Sequence, residues 1–121
     1  RDFIHVSDIA RGILLALESD RAVGHALNLG TGRATSVRRV ADVLADKLGV
    51  TVEPSLTGEF RAGDIRHCFA SIDAARELLG FEAEVSFEDG MEQLAQWLDG
   101  KQAVDRVEEA RQQLVERRLT L

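Results

Sequence analysis

The residues best suited to chemistry lie in one loop, Gly58-Glu59-Phe60-Arg61-Ala62-Gly63-Asp64-Ile65-Arg66-His67. Arg61, Asp64 and Arg66 fall within six positions of one another, and Gly58 and Gly63 allow close backbone approach. A guanidinium is a planar fork of donors that matches phosphate oxygens. An aspartate beside it accepts from sugar hydroxyls. Together they suit a nucleoside diphosphate better than either does alone. His67 follows this loop and is placed to approach the same ligand. A solvated charged turn with local ion pairs would use the same residue types.

Other candidates are weaker. Gly30-Thr31-Gly32 lies between an expected strand and helix, as a dinucleotide loop would. It lacks the third glycine of G-x-G-x-x-G, because position 35 is Thr. A strand-to-helix turn explains it better, although a helix start can hold phosphate. His5, His25 and His67 do not combine with Cys68 in any metal-ligand spacing, so no metal site is expected. The carboxylates show no catalytic pairing, and we assign no catalytic residue.

Bulk properties narrow the class. A chain of 121 residues is one small domain or part of a larger one. A hydrophobic content of 45% is that of a globular chain. A net charge of -6 argues against general nucleic-acid binding, which needs a basic face. No apolar run reaches the ~18 residues of a membrane span, so no membrane partner is expected. One cysteine excludes an internal disulfide and fits a reducing cytoplasm.

The elements that must position the loop follow from periodicity. Phe3–Val6, His25–Leu29, Val50–Glu53 and His67–Ala70 read as short strands. Ser7 or Asp8 is placed to cap a helix carrying Ile9, Ile13, Leu14 and Leu17. Thr35 or Ser36 starts a second, with Val37, Val40, Leu44 and Leu48 on one face and Gly49 as its stop. Ser71 is placed to cap a short third helix ending at Gly80. Ser86 and Asp89 form a capping box for a fourth, which runs to about Leu98 with Met91, Leu94, Ala95 and Leu98 inward. Trp97 on this helix is a core or interface anchor. The pattern predicts an α/β fold, short strands alternating with helices, over residues 1–100. Residues 101–121 form an amphipathic tail. Its stripe of Val104, Val107 and Leu114 predicts a surface helix that docks weakly.

Three motifs in order carry a family resemblance over roughly residues 1–98. They are Arg1-Asp2-Phe3-Ile4-His5-Val6, Asn28-Leu29-Gly30-Thr31-Gly32 and Arg61-Ala62-Gly63-Asp64. Together they resemble the second half of nucleotide-sugar epimerases and dehydratases of the extended short-chain dehydrogenase/reductase family. The resemblance implies the C-terminal substrate-binding portion of an extended Rossmann-type enzyme. It implies that Arg61 contacts the diphosphate, Asp64 the ribose, and Arg1 the nucleotide-sugar. The family's glycine-rich NAD loop and Tyr-x-x-x-Lys pair are absent here, and there is no tyrosine at all. The implied parent uses NAD, bound mainly by the other half, takes a nucleoside-diphosphate-sugar, and is a homodimer. This chain alone is then expected to be inactive. A non-catalytic binding or docking module derived from the same fold is the alternative.

Overall fold

The computed structural model describes residues 1–102 and 104–119. Within them lie five α-helices: α1 (Val6–Glu18), α2 (Val37–Leu48), α3 (Asp73–Leu79), α4 (Phe87–Leu98) and α5 (Val107–Glu116). A 3-10 turn, Asp20–Ala22, follows α1.

The helix ends follow local chemistry. Ser36 caps α2 by accepting from the Arg39 amide at 3.1 Å. Gly49 ends it in the left-handed region, at φ 65°. Ser86 caps α4 by accepting from the Asp89 amide at 3.0 Å. The capping box differs from expectation in its second half: the Ser86 hydroxyl donates to the Asp89 carboxylate at 2.6 Å, rather than Asp89 serving an amide. Two caps are corrected. The residue capping α1 is His5, whose ring Nδ1 accepts from the Ser7 amide at 3.3 Å. Ser71 does not cap α3; its hydroxyl donates to Asp73, and Ile72 holds the cap position.

The expected strands are not confirmed. None of the four forms a ladder among the described residues, and Val6 belongs to α1 instead. Val50–Glu53 alternates as a strand would, but a strand needs a partner edge, and the described residues supply few. Three of the segments nevertheless lie side by side. Arg1 and Thr35 exchange two backbone hydrogen bonds, both 2.8 Å. The Ala70 backbone amide donates to Asp2 at 3.2 Å, and the Asn28 side-chain Nδ2 to the Ser71 carbonyl at 3.4 Å.

The core is small: Val43, Ile72, Ala75, Phe81, Met91 and Ala95. Phe81 is fully buried beneath α1. There Gly12 leaves the room, since a Cβ would stand 3.0 Å from the Phe81 ring and 2.7 Å from Leu29. The Arg11 guanidinium lies 5.2 Å from the centre of that ring. Helix α2 packs on α4, and the Arg39–Glu88 and Lys47–Glu92 pairs bridge them at 3.0 and 2.6 Å. Phe3 meets Phe87 in a tilted ring pair, 5.9 Å between centroids.

Asp8 fixes α1 to the rest. It is 2% exposed and accepts from the Glu84 and Val85 amides, each at 3.1 Å, and from Arg11 at 3.1 Å. Burial pushes its carboxyl up, but the two amides and Arg11 outweigh this and hold it below the ordinary aspartate value of 3.8. A depressed folded-state value means the stabilisation is complete above the ordinary value. It is lost as pH falls through the folded one. Asp8→Asn should therefore destabilise the chain by about 1–3 kcal/mol at neutral pH. It should also flatten the loss of stability below pH 4, read by thermal melts across pH.

Much apolar surface stays open. Ile13, Leu14 and Leu17 on α1 are exposed, Leu17 by 78%. Trp97 is 63% exposed and borders a groove of about 510 Å³ with Phe3, Val6, Met91 and Leu94. Patches of this kind mark surfaces that bury against something else. The 121-residue chain on its own should self-associate, with a sedimentation coefficient that rises with concentration. A monomer with a concentration-independent melt would contradict this.

Candidate functional site

The first candidate residue, Arg1, is brought to the loop across 63 positions. Its guanidinium donates to Asp64 Oδ1 at 2.8 Å, with the two side chains 31% and 51% exposed. The backbone pair with Thr35 holds Arg1 from one side. From the other, Gly63 turns the loop at φ 79°, and the Asp64 amide donates to the Arg61 carbonyl at 3.1 Å. Only the left-handed region gives this turn, and glycine adopts it without strain. The carboxylate thus meets the guanidinium at an open surface. Arg1 is held as a charge-assisted donor that an incoming anion could share.

Arg61 is placed differently. It is exposed and lines a depression of about 470 Å³ with Phe60, Arg111 and Leu114. His67 is exposed just beyond the loop, and no hydrogen bond joins its side chain to a described residue. The structure therefore joins Arg1 with Asp64, keeps Arg61 one turn away on the same loop, and leaves His67 outside that contact.

The Gly30-Thr31-Gly32 turn already holds an anion, and it is internal. Asp2 accepts from the Thr31 amide at 3.0 Å, the Gly32 amide at 3.0 Å, the Thr31 hydroxyl and the Ala70 amide. Successive amides in such a turn form a nest that attracts negative charge. Burial raises the Asp2 carboxyl, but these donors outweigh burial and hold it below its ordinary value. The Thr31 and Gly32 amides, which would have to meet a dinucleotide phosphate, are engaged by this carboxylate. Sequence reasoning missed this role for Asp2, although Asp2 stands inside the first quoted motif.

Gly30 makes the arrangement possible. It is buried, and a Cβ there would stand 2.7 Å from the Asp2 carboxylate and 2.6 Å from the Ala70 Cβ. A second, polar cavity of about 560 Å³ lies at the start of α2. Two of its arginines, Arg39 and Arg76, are already paired with Glu88 and Glu82. Among the described residues there is no cluster of three or more His, Cys, Asp or Glu able to hold a metal. No described helix is long and apolar enough to cross a membrane.

The family profile for GDP-mannose 4,6 dehydratase matches residues 1–94. The chain belongs to the NAD-dependent nucleotide-sugar epimerases and dehydratases. This family member is 32% identical over 98 residues to dTDP-L-rhamnose 4-epimerase of Burkholderia thailandensis, covering 81% of the chain and 27% of that protein. It is 36% identical over 101 residues to UDP-glucose 4-epimerase of Caenorhabditis elegans, covering 80% and 29%. Among solved structures it resembles an epimerase of Methanothermobacter thermautotrophicus, with TM-score 0.69 and 31% identity over 82% of the chain and 30% of the other. UDP-glucose 4-epimerase of Bifidobacterium longum, solved with NAD+ and UDP, gives 0.68 and 31% over the same 82% and 30%. This epimerase/dehydratase chain therefore spans less than a third of the length of these relatives.

The geometry of the turn makes a prediction for this family member. Gly30→Ala should displace the Asp2 carboxylate and destabilise the chain by about 1–3 kcal/mol, the usual cost of overpacking. The same substitution at Gly24, where a Cβ meets nothing within 4 Å, tests only the cost of its positive φ and should cost less. Urea unfolding of the two variants compares them directly.

Proposed function

We propose that this chain is the C-terminal, nucleotide-sugar-binding portion of an NAD-dependent nucleoside-diphosphate-sugar epimerase or dehydratase. The observation that carries the reading is the 2.8 Å contact between Arg1 and Asp64. It joins the first and last of the three motifs at one open surface. In that reading Arg1 and Arg61 donate to the diphosphate, and Asp64, released from Arg1, accepts from the ribose. His67 stands at the edge of the ligand. The nucleotide is the non-reacting part of the substrate, and its binding energy serves to orient the reacting sugar.

NAD belongs to the other half of the parent in this reading. The Gly30-Thr31-Gly32 turn spends its Thr31 and Gly32 amides on Asp2. The solved B. longum relative holds both NAD+ and UDP, which fits a parent with two separate sites. The parent is expected to be a homodimer, and this chain alone inactive.

The test is nucleotide affinity. In the full-length protein, Arg61→Ala should weaken UDP or dTDP binding by roughly tenfold to a hundredfold, the worth of a charge-assisted hydrogen bond. Affinity for NAD should hold. Titration calorimetry with each ligand reads both, and equal loss of the two would sink the assignment. The alternative, a non-catalytic docking module built on the same fold, draws on the open apolar groove beside α4. It predicts no nucleoside-diphosphate affinity in the unsubstituted protein.

A further inference from the structure

Helix α5 lies beyond residues 1–94, the stretch that matches the family profile. It is nonetheless seated on the loop that carries Arg61 and Asp64. Arg111 Nη2 donates to Glu59 Oε1 at 2.6 Å. The Ala62 amide donates to the Leu119 carbonyl at 2.9 Å. Val107 and Leu114 of the helix face Thr57 and Phe60 of the loop across a depression of about 470 Å³, which Arg61 also lines.

These contacts bracket Arg61 in sequence. Glu59 is anchored two residues before it and Ala62 one residue after, while Asp64 is tied to Arg1 at the far end. The loop is otherwise poorly supported: residues 55–67 are all exposed, and none belongs to a helix. Its path is set at one end by Arg1 and at the other by α5 and by Leu119 just beyond it.

We propose that α5 is a clasp that positions the Glu59–Asp64 loop for a nucleoside diphosphate, with Glu59 and Arg111 as its positioning residues. The proposal rests on the nucleotide-binding reading of Arg61 and Asp64. An exposed pair of this kind is weak and screened by salt. The clasp therefore opens readily, admitting ligand before the loop closes on it. Specificity for the diphosphate then depends in part on a tail outside the matched region.

Chymotryptic cleavage tests the clasp without any ligand. Phe60 lies in the clasped loop, and Phe69, of similar exposure, lies outside it and serves as internal reference. In the 121-residue chain, Arg111→Glu should speed cleavage after Phe60 relative to Phe69 by about two- to fivefold, the range expected of an exposed pair. The reversed pair, Glu59→Arg with Arg111→Glu, should restore protection. An unchanged Phe60-to-Phe69 ratio in Arg111→Glu overturns the clasp. Calorimetry with UDP and dTDP on the full-length protein tests the coupling. Arg111→Glu should weaken binding by a similar factor, and the reversed pair should recover it. Affinity lost in Arg61→Ala but untouched by Arg111→Glu overturns the positioning role. If neither nucleotide binds the unsubstituted protein, the nucleotide reading fails and the positioning proposal fails with it, while the cleavage ratio still reads the contact itself.

Discussion

Two carboxylates, six positions apart near the start of the chain, hold this structure together. Asp2 gathers the amides of Thr31, Gly32 and Ala70. Asp8 gathers those of Glu84 and Val85, with Arg11 beside it. Each amide partner lies at least 29 positions away in sequence, so the first eight residues tie down the Thr31–Gly32 turn, Ala70 and the Glu84–Val85 segment, while Arg1 reaches Asp64 of the loop beneath α5. Side chains serve here because the backbone cannot. Segments that would otherwise satisfy their amides in a ladder have no partner edge, and buried amides must be met somehow. An ionised carboxylate with several acceptor sites meets several at once. Both groups stay charged because the amide donors outweigh the penalty of burial.

Helices and their ends were largely legible in the sequence because their signals are local. Ser36, Gly49, Gly80 and Ser86 act within a turn of themselves, and each stands at the helix end it announces. The cap of α1 was misread because His5, with a ring nitrogen in place of a hydroxyl, did the work expected of Ser7 or Asp8. The strands stay unconfirmed among the described residues for a different reason. Alternation in Val50–Glu53 reports that a segment could pair, and pairing depends on an edge elsewhere. The same holds for the apolar stripe of α1: Ile13, Leu14 and Leu17 have helical spacing but little in this chain to cover them.

Of the site, the sequence showed the parts and hid their grouping. Arg61, Asp64 and His67 were legible as residue types suited to a nucleoside diphosphate, and Arg1 only through the family resemblance. That Arg1 meets Asp64 could not be read from spacing, since 63 residues separate them. That Arg61 faces a depression shared with Arg111 was hidden for the same reason. Asp2 was concealed by its neighbours: it stands between a candidate ligand arginine and an apolar run, and nothing local marks it as the anion of the glycine turn.

The placement of charge along the first motif then has a simple logic. Arg1 and Asp2 are adjacent, yet their side chains serve opposite ends of the same task. Asp2 turns inward, where several donors fix it, and its contacts fix the backbone of residue 2 in turn. Arg1 turns outward to one exposed carboxylate at 2.8 Å. An exposed ion pair contributes little stability and is easily exchanged, whereas a carboxylate bound by several amides is not. Rigidity is thus concentrated one residue away from the group that, in the proposed nucleotide-binding reading, changes partner. A phosphate competing with Asp64 for Arg1 would find the guanidinium already aimed, with most of its ordering complete before the ligand arrives.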